Sequence, residues 1–232
     1  MADAPPPSAH PAAPPQLPAA LLFDLDGTLV DSEFLHRDSV IAVLAREGVA
    51  LSEEDYRPYF GWAEDAFWRE IQGRTGLATP VEDLVAARTE VYLELHQECS
   101  IGPLPGVLDL LDWAAARDIP AAVASSSPRA QIHGTLEAAG LAERLPTVRS
   151  GHEDVEVGKP APDVYLAAAA ALGVDATACW AFEDSPTGMR AAMAAGAYTV
   201  AVPPGEADPA AYAAAHRLCR GGLPEYLAAL GG

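Results

Sequence analysis

In Leu21-Leu22-Phe23-Asp24-Leu25-Asp26-Gly27-Thr28-Leu29-Val30-Asp31-Ser32-Glu33 an apolar run meets two carboxylates. The run from Ala19 to Phe23 is short enough for a buried strand; it stops at Asp24 and Asp26, and Gly27 supplies the sharp turn that follows. Two acids at a strand end are costly to bury unpaired. They make sense there if they hold a hard cation and do chemistry with it.

Outward from this stretch, Asp31-Ser32 offers a helix cap, and Glu33 to Glu47 has helical periodicity that closes at Gly48. The chain then changes character. Leu51 to Tyr59, Ala63 to Gln72 and Val81 to Glu98 read as helices separated by Phe60-Gly61 and by Gly73 to Pro80, with no strand-like run among them. At Gly102-Pro103-Leu104-Pro105-Gly106 the pattern returns to alternating strands and helices: helix Val107 to Arg117, strand Ile119 to Ala124, helix Arg129 to Ala139, a short helix at Leu141 to Leu145, and strand Thr147 to Ser150. Helix Val164 to Leu172, strand Ala178 to Phe182, helix Thr187 to Ala195, strand Tyr198 to Val202 and helix Leu223 to Leu230 complete it. This alternation predicts an α/β fold with a parallel sheet covered on both faces. The Ala-rich runs read as compositional. The expected divisions are a disordered Pro/Ala-rich arm over 1–18, an α/β core over 19–31 and 101–232, and a helical insert over 32–100.

Fourteen basic against 33 acidic residues give a formal charge of −19, which argues against nucleic acid and anionic membrane as partners. An anionic substrate would have to be attracted by local cations. No apolar run is long enough to span a membrane. The N-terminus, with prolines at 5, 6, 7, 11, 14, 15 and 18, lacks the basic start and continuous apolar stretch of a secretory signal. Cys99, Cys179 and Cys219 have no CxxC spacing and read as free thiols of a reducing compartment, so a cytoplasmic protein is expected.

In a parallel sheet, ligands bind outside the carboxyl ends of the strands. Each polar cluster of this chain follows an apolar run: Asp24 and Asp26 the first, Ser125-Ser126-Ser127 the second, Glu183-Asp184 a later one. Lys159, in Gly158-Lys159-Pro160-Ala161-Pro162-Asp163, is the only lysine in the chain. Its compact ammonium suits contact with a carboxylate and a phosphate oxygen together; the alternative is a solvated surface lysine. Four acids, a hydroxyl and an ammonium form a constellation for handling a phosphoryl group with a magnesium ion.

In this order the motifs resemble those of the haloacid-dehalogenase superfamily, in its phosphatase and β-phosphoglucomutase-like branch. The resemblance covers Leu21 to Leu230 and implies a Rossmann-like core with a small helical cap inserted after the first strand. It implies that Asp24 is the nucleophile and that Asp26 is general acid and base, with its backbone carbonyl on the metal and Thr28 orienting it. Ser125 and the amide of Ser126 would hold phosphoryl oxygens, and Lys159 would neutralise charge between Asp24 and the phosphoryl group. Asp24, Asp26 and Asp184 would hold Mg²⁺, with Glu183 beside them.

Within the superfamily, Asp26 and the Glu183-Asp184 pair favour phosphoryl transfer over dehalogenation, and a cap without lysine argues against phosphonatase chemistry. The expected function is therefore a Mg²⁺-dependent phosphatase acting on a small phosphorylated metabolite, sugar or polyol phosphates foremost. A β-type sugar phosphomutase and a silent metal-binding module are the alternatives. His36 stands where the mutases carry a His, or else packs at the hinge. Where they carry an Arg that grips a second phosphate, this chain has Glu64, in Gly61-Trp62-Ala63-Glu64, and a carboxylate there would repel that phosphate; Arg57, Arg69 and Arg74 are the candidates to substitute for the missing arginine. Trp62, Glu64, Asp65 and Trp68 form either a polyol-binding wall or ordinary core. Ser127 and Arg129 are candidates for contact with the leaving group, and Asp163 for a helix cap and partner of Lys159. His96, His133, His152 and His216 read as surface or capping residues. The chain is compatible with a monomer.

Overall fold

A computed structural model of the chain describes residues 16–59, 62, 64–99 and 101–231. Strand β1, Ala20–Phe23, lies at the centre of a six-stranded sheet. On one side it pairs with β2 (Ala121–Ser125), which pairs with β3 (Thr147–Ser150); on the other it pairs with β4 (Cys179–Glu183), followed by β5 (Tyr198–Ala201) and β6 (Arg217–Leu218). All pairings are parallel. Every residue of β1 is fully buried, as a central strand covered on both faces requires.

The two faces are filled differently. Leu21 and Phe23 point into a layer of large side chains with α5 (Val107–Ala115), α6 (Arg129–Ala138) and α9 (Leu223–Leu230), where Phe23 stacks on Phe182 at 5.0 Å. Ala20 and Leu22 point the other way, onto α7 (Asp163–Ala171) and α8 (Pro186–Ala194). There Ala168, Ala169, Ala191 and Ala192 are buried against the sheet. The Ala-rich runs thus have a packing role: on this face alanines, beside Val164 and Tyr165, meet the sheet.

Between β1 and α5 the elements among the described residues are helical: α1 (Glu33–Arg46), α2 (Glu53–Tyr56), α3 (Glu64–Thr75) and α4 (Val81–Glu98). They bury a core of their own, with Val40, Leu44, Tyr56, Tyr59, Phe67 and Trp68 among its members. Helix α4 also leans on α6, tied by Gln131 Nε2 to Thr89 Oγ1 at 3.0 Å and by Thr135 Oγ1 to Tyr92 OH at 3.0 Å and His96 Nε2 at 3.1 Å.

Several expectations need correction. The helix expected over 51–59 is the short α2, capped by Ser52 Oγ accepting from Asp55 N at 3.1 Å, and then a 3₁₀ turn at Arg57–Tyr59 containing Pro58. The segment 141–145 is a hydrogen-bonded turn stopped by Pro146, with Leu141 and Leu145 buried. β6 was not expected, because two residues carry no periodicity. Of the proline-rich arm, all but residues 16–18 lies outside the described residues, as do Phe60 and Gly61. No helix among the described residues is long and apolar enough to cross a membrane, and Cys99, Cys179 and Cys219 are all free.

Candidate active site

The carboxyl ends of β1, β2 and β4 meet under the helical insert, at a cavity of about 640 Å³. Asp24 follows β1 directly, its amide still paired with Phe182 O at 3.0 Å. Lys159 Nζ donates to Asp24 Oδ1 at 2.6 Å and to Glu183 Oε1 at 2.6 Å. Lys159 is buried and does not face solvent. Glu183 is fully enclosed: Oε1 also accepts from Tyr165 OH at 2.8 Å, and Oε2 accepts from Ser185 Oγ at 3.1 Å and Ser185 N at 3.3 Å. Its lone pairs are spent on the protein, so it acts as a fixed counter-charge for Lys159.

Asp184 comes next. Its carboxylate occupies the space that a side chain on Gly27 would need, and Gly27 has φ +81°, which only glycine adopts without strain. Tyr212 OH donates to Asp184 O at 2.6 Å. Ligand oxygens of Asp24, Glu183 and Asp184 lie within 4.8 Å of one another. Two buried carboxylates and a half-buried one here face one ammonium. Burial pushes the Asp24 carboxyl up to about 8, with Lys159 opposing and Glu183 and Asp26 adding to the rise. Burial, Asp24 and Glu183 likewise raise Asp184 well above the usual carboxylate range. Burial first, and then neighbouring carboxylates, make ionisation costly in this all-oxygen site, and a hard divalent cation would offset that cost, so the residues fit one. Asp24 and Asp184 have carboxylate oxygens to spare for it, and Glu183 does not.

Asp26 is held differently. Ser32 Oγ donates to Oδ1 at 2.5 Å, Ser127 Oγ donates to Oδ2 at 3.1 Å, and His36 Nε2 stands 2.8 Å from Oδ1 without the alignment of a hydrogen bond. Burial alone would raise this carboxyl; the His36 ring and the two hydroxyls outweigh it and hold it well below the usual range. Ser32 therefore stands at the N-cap position of α1 with its hydroxyl turned to Asp26, and caps nothing. His36 Nδ1 faces the Arg88 guanidinium, which can only donate, so Nδ1 accepts and the ring proton sits on Nε2, towards Asp26.

Of the other residues singled out, Ser125, Ser126, Ser127 and Thr28 line the cavity. Ser125 Oγ accepts from Ser127 N at 3.1 Å. The buried Thr28 hydroxyl has no hydrogen-bond partner among the described residues, so it does not orient Asp26 through a hydrogen bond in this conformation. Trp62 stands at the mouth, 46% exposed, edge-on to Tyr59 at 5.3 Å. Glu64 is buried, ion-paired with Arg88, and accepts from Trp68 Nε1 at 3.0 Å. Arg129 is not brought in: its guanidinium pairs with Asp154 and its amide with Glu153, and it does not line the cavity. Asp163 opens α7 but forms no ion pair with Lys159. Tyr165 and Arg88 went unnoticed in the sequence, and Ser32 was read only as a helix cap. Each lies in or beside a helix whose periodicity explains it without reference to the site.

The model for haloacid dehalogenase-like hydrolases matches residues 18–196. The chain belongs to this family. Among its haloacid dehalogenase-like relatives, protein CbbY of Rhodobacter capsulatus is 37% identical over 192 residues, 79% of this chain and 85% of that protein. Hexitol phosphatase B of Escherichia coli (strain K12) is 33% identical over 194 residues, 82% of this chain and 85% of that protein. A crystal structure of a CbbY variant from Rhodobacter sphaeroides, in complex with xylulose-(1,5)bisphosphate, superposes with a TM-score of 0.80 and 29% identity, covering 90% of this chain and 99% of that one.

Proposed function

We propose that this haloacid dehalogenase-like hydrolase is a magnesium-dependent phosphatase that releases phosphate from a small phosphomonoester, sugar and polyol phosphates foremost, through an aspartyl-phosphate on Asp24. The observation that carries the reading is the single ammonium of Lys159 shared between Asp24 and Glu183 at 2.6 Å each, beside the Asp184 carboxylate. The name of hexitol phosphatase B supports the substrate class.

In this reading Asp24 attacks phosphorus through the carboxylate oxygen that Lys159 leaves free, and the bond from phosphorus to the leaving oxygen breaks. Asp26 gives that oxygen a proton. Water then attacks the aspartyl-phosphate, Asp26 takes the proton back, and the Asp24–phosphorus bond breaks. To act as an acid, Asp26 has to give up contacts with Ser32, Ser127 or His36, because those donors favour its ionised form. Ser125 and the Ser126 amide hold the phosphoryl oxygens, and Lys159 screens Asp24 from their charge. Mg²⁺, held by Asp24, the Asp26 carbonyl and Asp184, would neutralise phosphoryl charge when bound. The core is assigned to 19–31 and 101–232, and 32–100 is a cap that selects the alcohol part. The free thiols fit the cytoplasm.

The test is phosphate release from sugar, polyol and short-acid monophosphates, with Mg²⁺ and with chelator, for wild type and Asp24→Asn. Release that needs the metal and vanishes in the variant is the expected result. Conversion of glucose 1-phosphate to an isomer, with no phosphate freed, would place the chain with the mutases.

A further inference from the structure

Away from the phosphoryl seat, the charge on the cavity wall belongs to few side chains. Asp31 and Glu33 line it and form no ion pair or side-chain hydrogen bond among the described residues. Arg88 lines it too, and is the only arginine among the lining residues. Each of its three guanidinium nitrogens is engaged: Nη1 pairs with Glu64 Oε2, Nε donates to Ser39 Oγ at 3.3 Å, and Nη2 contacts His36 Nδ1. Glu64 is held in turn by Trp68 Nε1 at 3.0 Å, and both Glu64 and Arg88 are buried. Beyond Asp24, Ser125 and Lys159 the cavity wall therefore offers an arginine paired with Glu64, the carboxylates of Asp31 and Glu33 with no ion-pair partner among the described residues, and the aromatic side chains of Tyr59 and Trp62.

We infer that Glu64 is a specificity determinant: by occupying Arg88 it denies the cavity a cation for a second anionic group, so the substrate carries one phosphate on a neutral or positively charged alcohol. This deepens the phosphatase reading and rests on it. The sequence view of Glu64 as a bare repelling carboxylate is corrected, since its charge is consumed by Arg88 and the exclusion works by withholding the guanidinium. The ligand of the CbbY variant carries two phosphates, whereas the wall here is charged for one. A mutase has to hold a sugar bisphosphate, so the same pair disfavours that alternative.

The experiment compares matched pairs on the full chain with Mg²⁺: fructose 1-phosphate with fructose 1,6-bisphosphate, and glucose 6-phosphate with glucose 1,6-bisphosphate; glucosamine 6-phosphate adds a cationic alcohol. Wild type should prefer each monophosphate by at least about tenfold in kcat/KM, and should accept the aminosugar at least as well as its neutral counterpart. Glu64→Gln keeps an acceptor for Trp68 and frees Arg88. It should lower the preference by about tenfold through the KM of the bisphosphate, and the double variant with Arg88→Gln should restore it. Equal turnover of both members by wild type, or an unchanged ratio in a folded Glu64→Gln, overturns the inference. Should Glu64→Gln lose its melting transition, the decision falls to calorimetric affinities of the monophosphate and bisphosphate for Asp24→Asn with Glu64 intact; tighter bisphosphate binding refutes it. A wild type silent on every monoester, p-nitrophenyl phosphate included, defeats the phosphatase reading instead, and the same calorimetry still decides the charge preference.

Discussion

Gly188 leaves open the space that the carboxylate of Glu183 fills. A Cβ at 188 would overlap that carboxylate, whose oxygens are already fixed by Lys159, Tyr165 and Ser185. In an ordinary helix, replacing Gly by Ala gains about 1 kcal/mol. Here the sign reverses. Gly188→Ala should displace Glu183 and with it Lys159, lowering kcat/KM for phosphate release by at least about 10²-fold and lowering the melting temperature. An active, more stable variant would show that the packing of α8 on this carboxylate does not matter.

Gly134 makes the opposite case. It lies on α6, and its Cβ would meet only the end of the Leu93 side chain on α4, which can turn aside. The helix gain and the cost of moving Leu93 should nearly cancel, leaving Gly134→Ala within about 2 °C of wild type in melting temperature. Hydrolysis of p-nitrophenyl phosphate should be unaffected. A large loss of either would mean that the α4–α6 seam is far less tolerant than its chemistry indicates.

One nitrogen of Lys159 serves two carboxylates at 2.6 Å each, a task for a point charge. Lys159→Arg should therefore fail nearly as badly as Lys159→Met, both losing at least about 10²-fold in kcat. Steady-state kinetics on a preferred monophosphate, with melting curves to confirm folding, provide the check. Arg activity close to wild type would contradict the geometry.

Acid crowding gives a dependence on pH and metal. Asp24 has its folded pKa raised from 3.8 to about 8, so its protonated form favours the fold. The stability this contributes is fully present below about 4 and is lost as pH rises through about 8; Asp184, raised for the same reason, acts in the same direction. With chelator present, the melting temperature should fall between pH 6 and pH 9. Mg²⁺ should raise it more at pH 9 than at pH 6, because it replaces the missing positive charge. A chelated protein that gains stability towards pH 9 would go against this.

The parts of the site legible in the sequence are those that interrupt a pattern. Asp24, Ser125 and Glu183-Asp184 break apolar runs at strand ends, so the periodicity that predicts the strand also exposes the acid or hydroxyl at its end. Lys159 stood out because nothing else in the chain resembles it. Arg88 is the contrary case: it lies inside the continuous helix α4, where a surface arginine reads the same as one buried against Glu64 and His36. Its partners are distant in the chain, and no local spacing announces them. Ser32 was legible as a polar residue ahead of a helix but not in its role, since a cap and a hydrogen bond to Asp26 call for the same residue in the same place. The aromatic residues of the insert divided as burial decides: Trp68 went to the core and Trp62 to the mouth.

The position of β1 also bears on how the protein is made. Ala20–Phe23 is among the first described segments to leave the ribosome, yet its neighbours are residues 121–125 on one side and 179–183 on the other. Until Glu183 has emerged, the strand bearing Asp24 has an open edge, and the partners that hold Lys159 in place do not coexist. A chain that stops short of Glu183 therefore lacks one of the two carboxylates that hold Lys159, while the helical insert has a core of its own that needs none of the later strands.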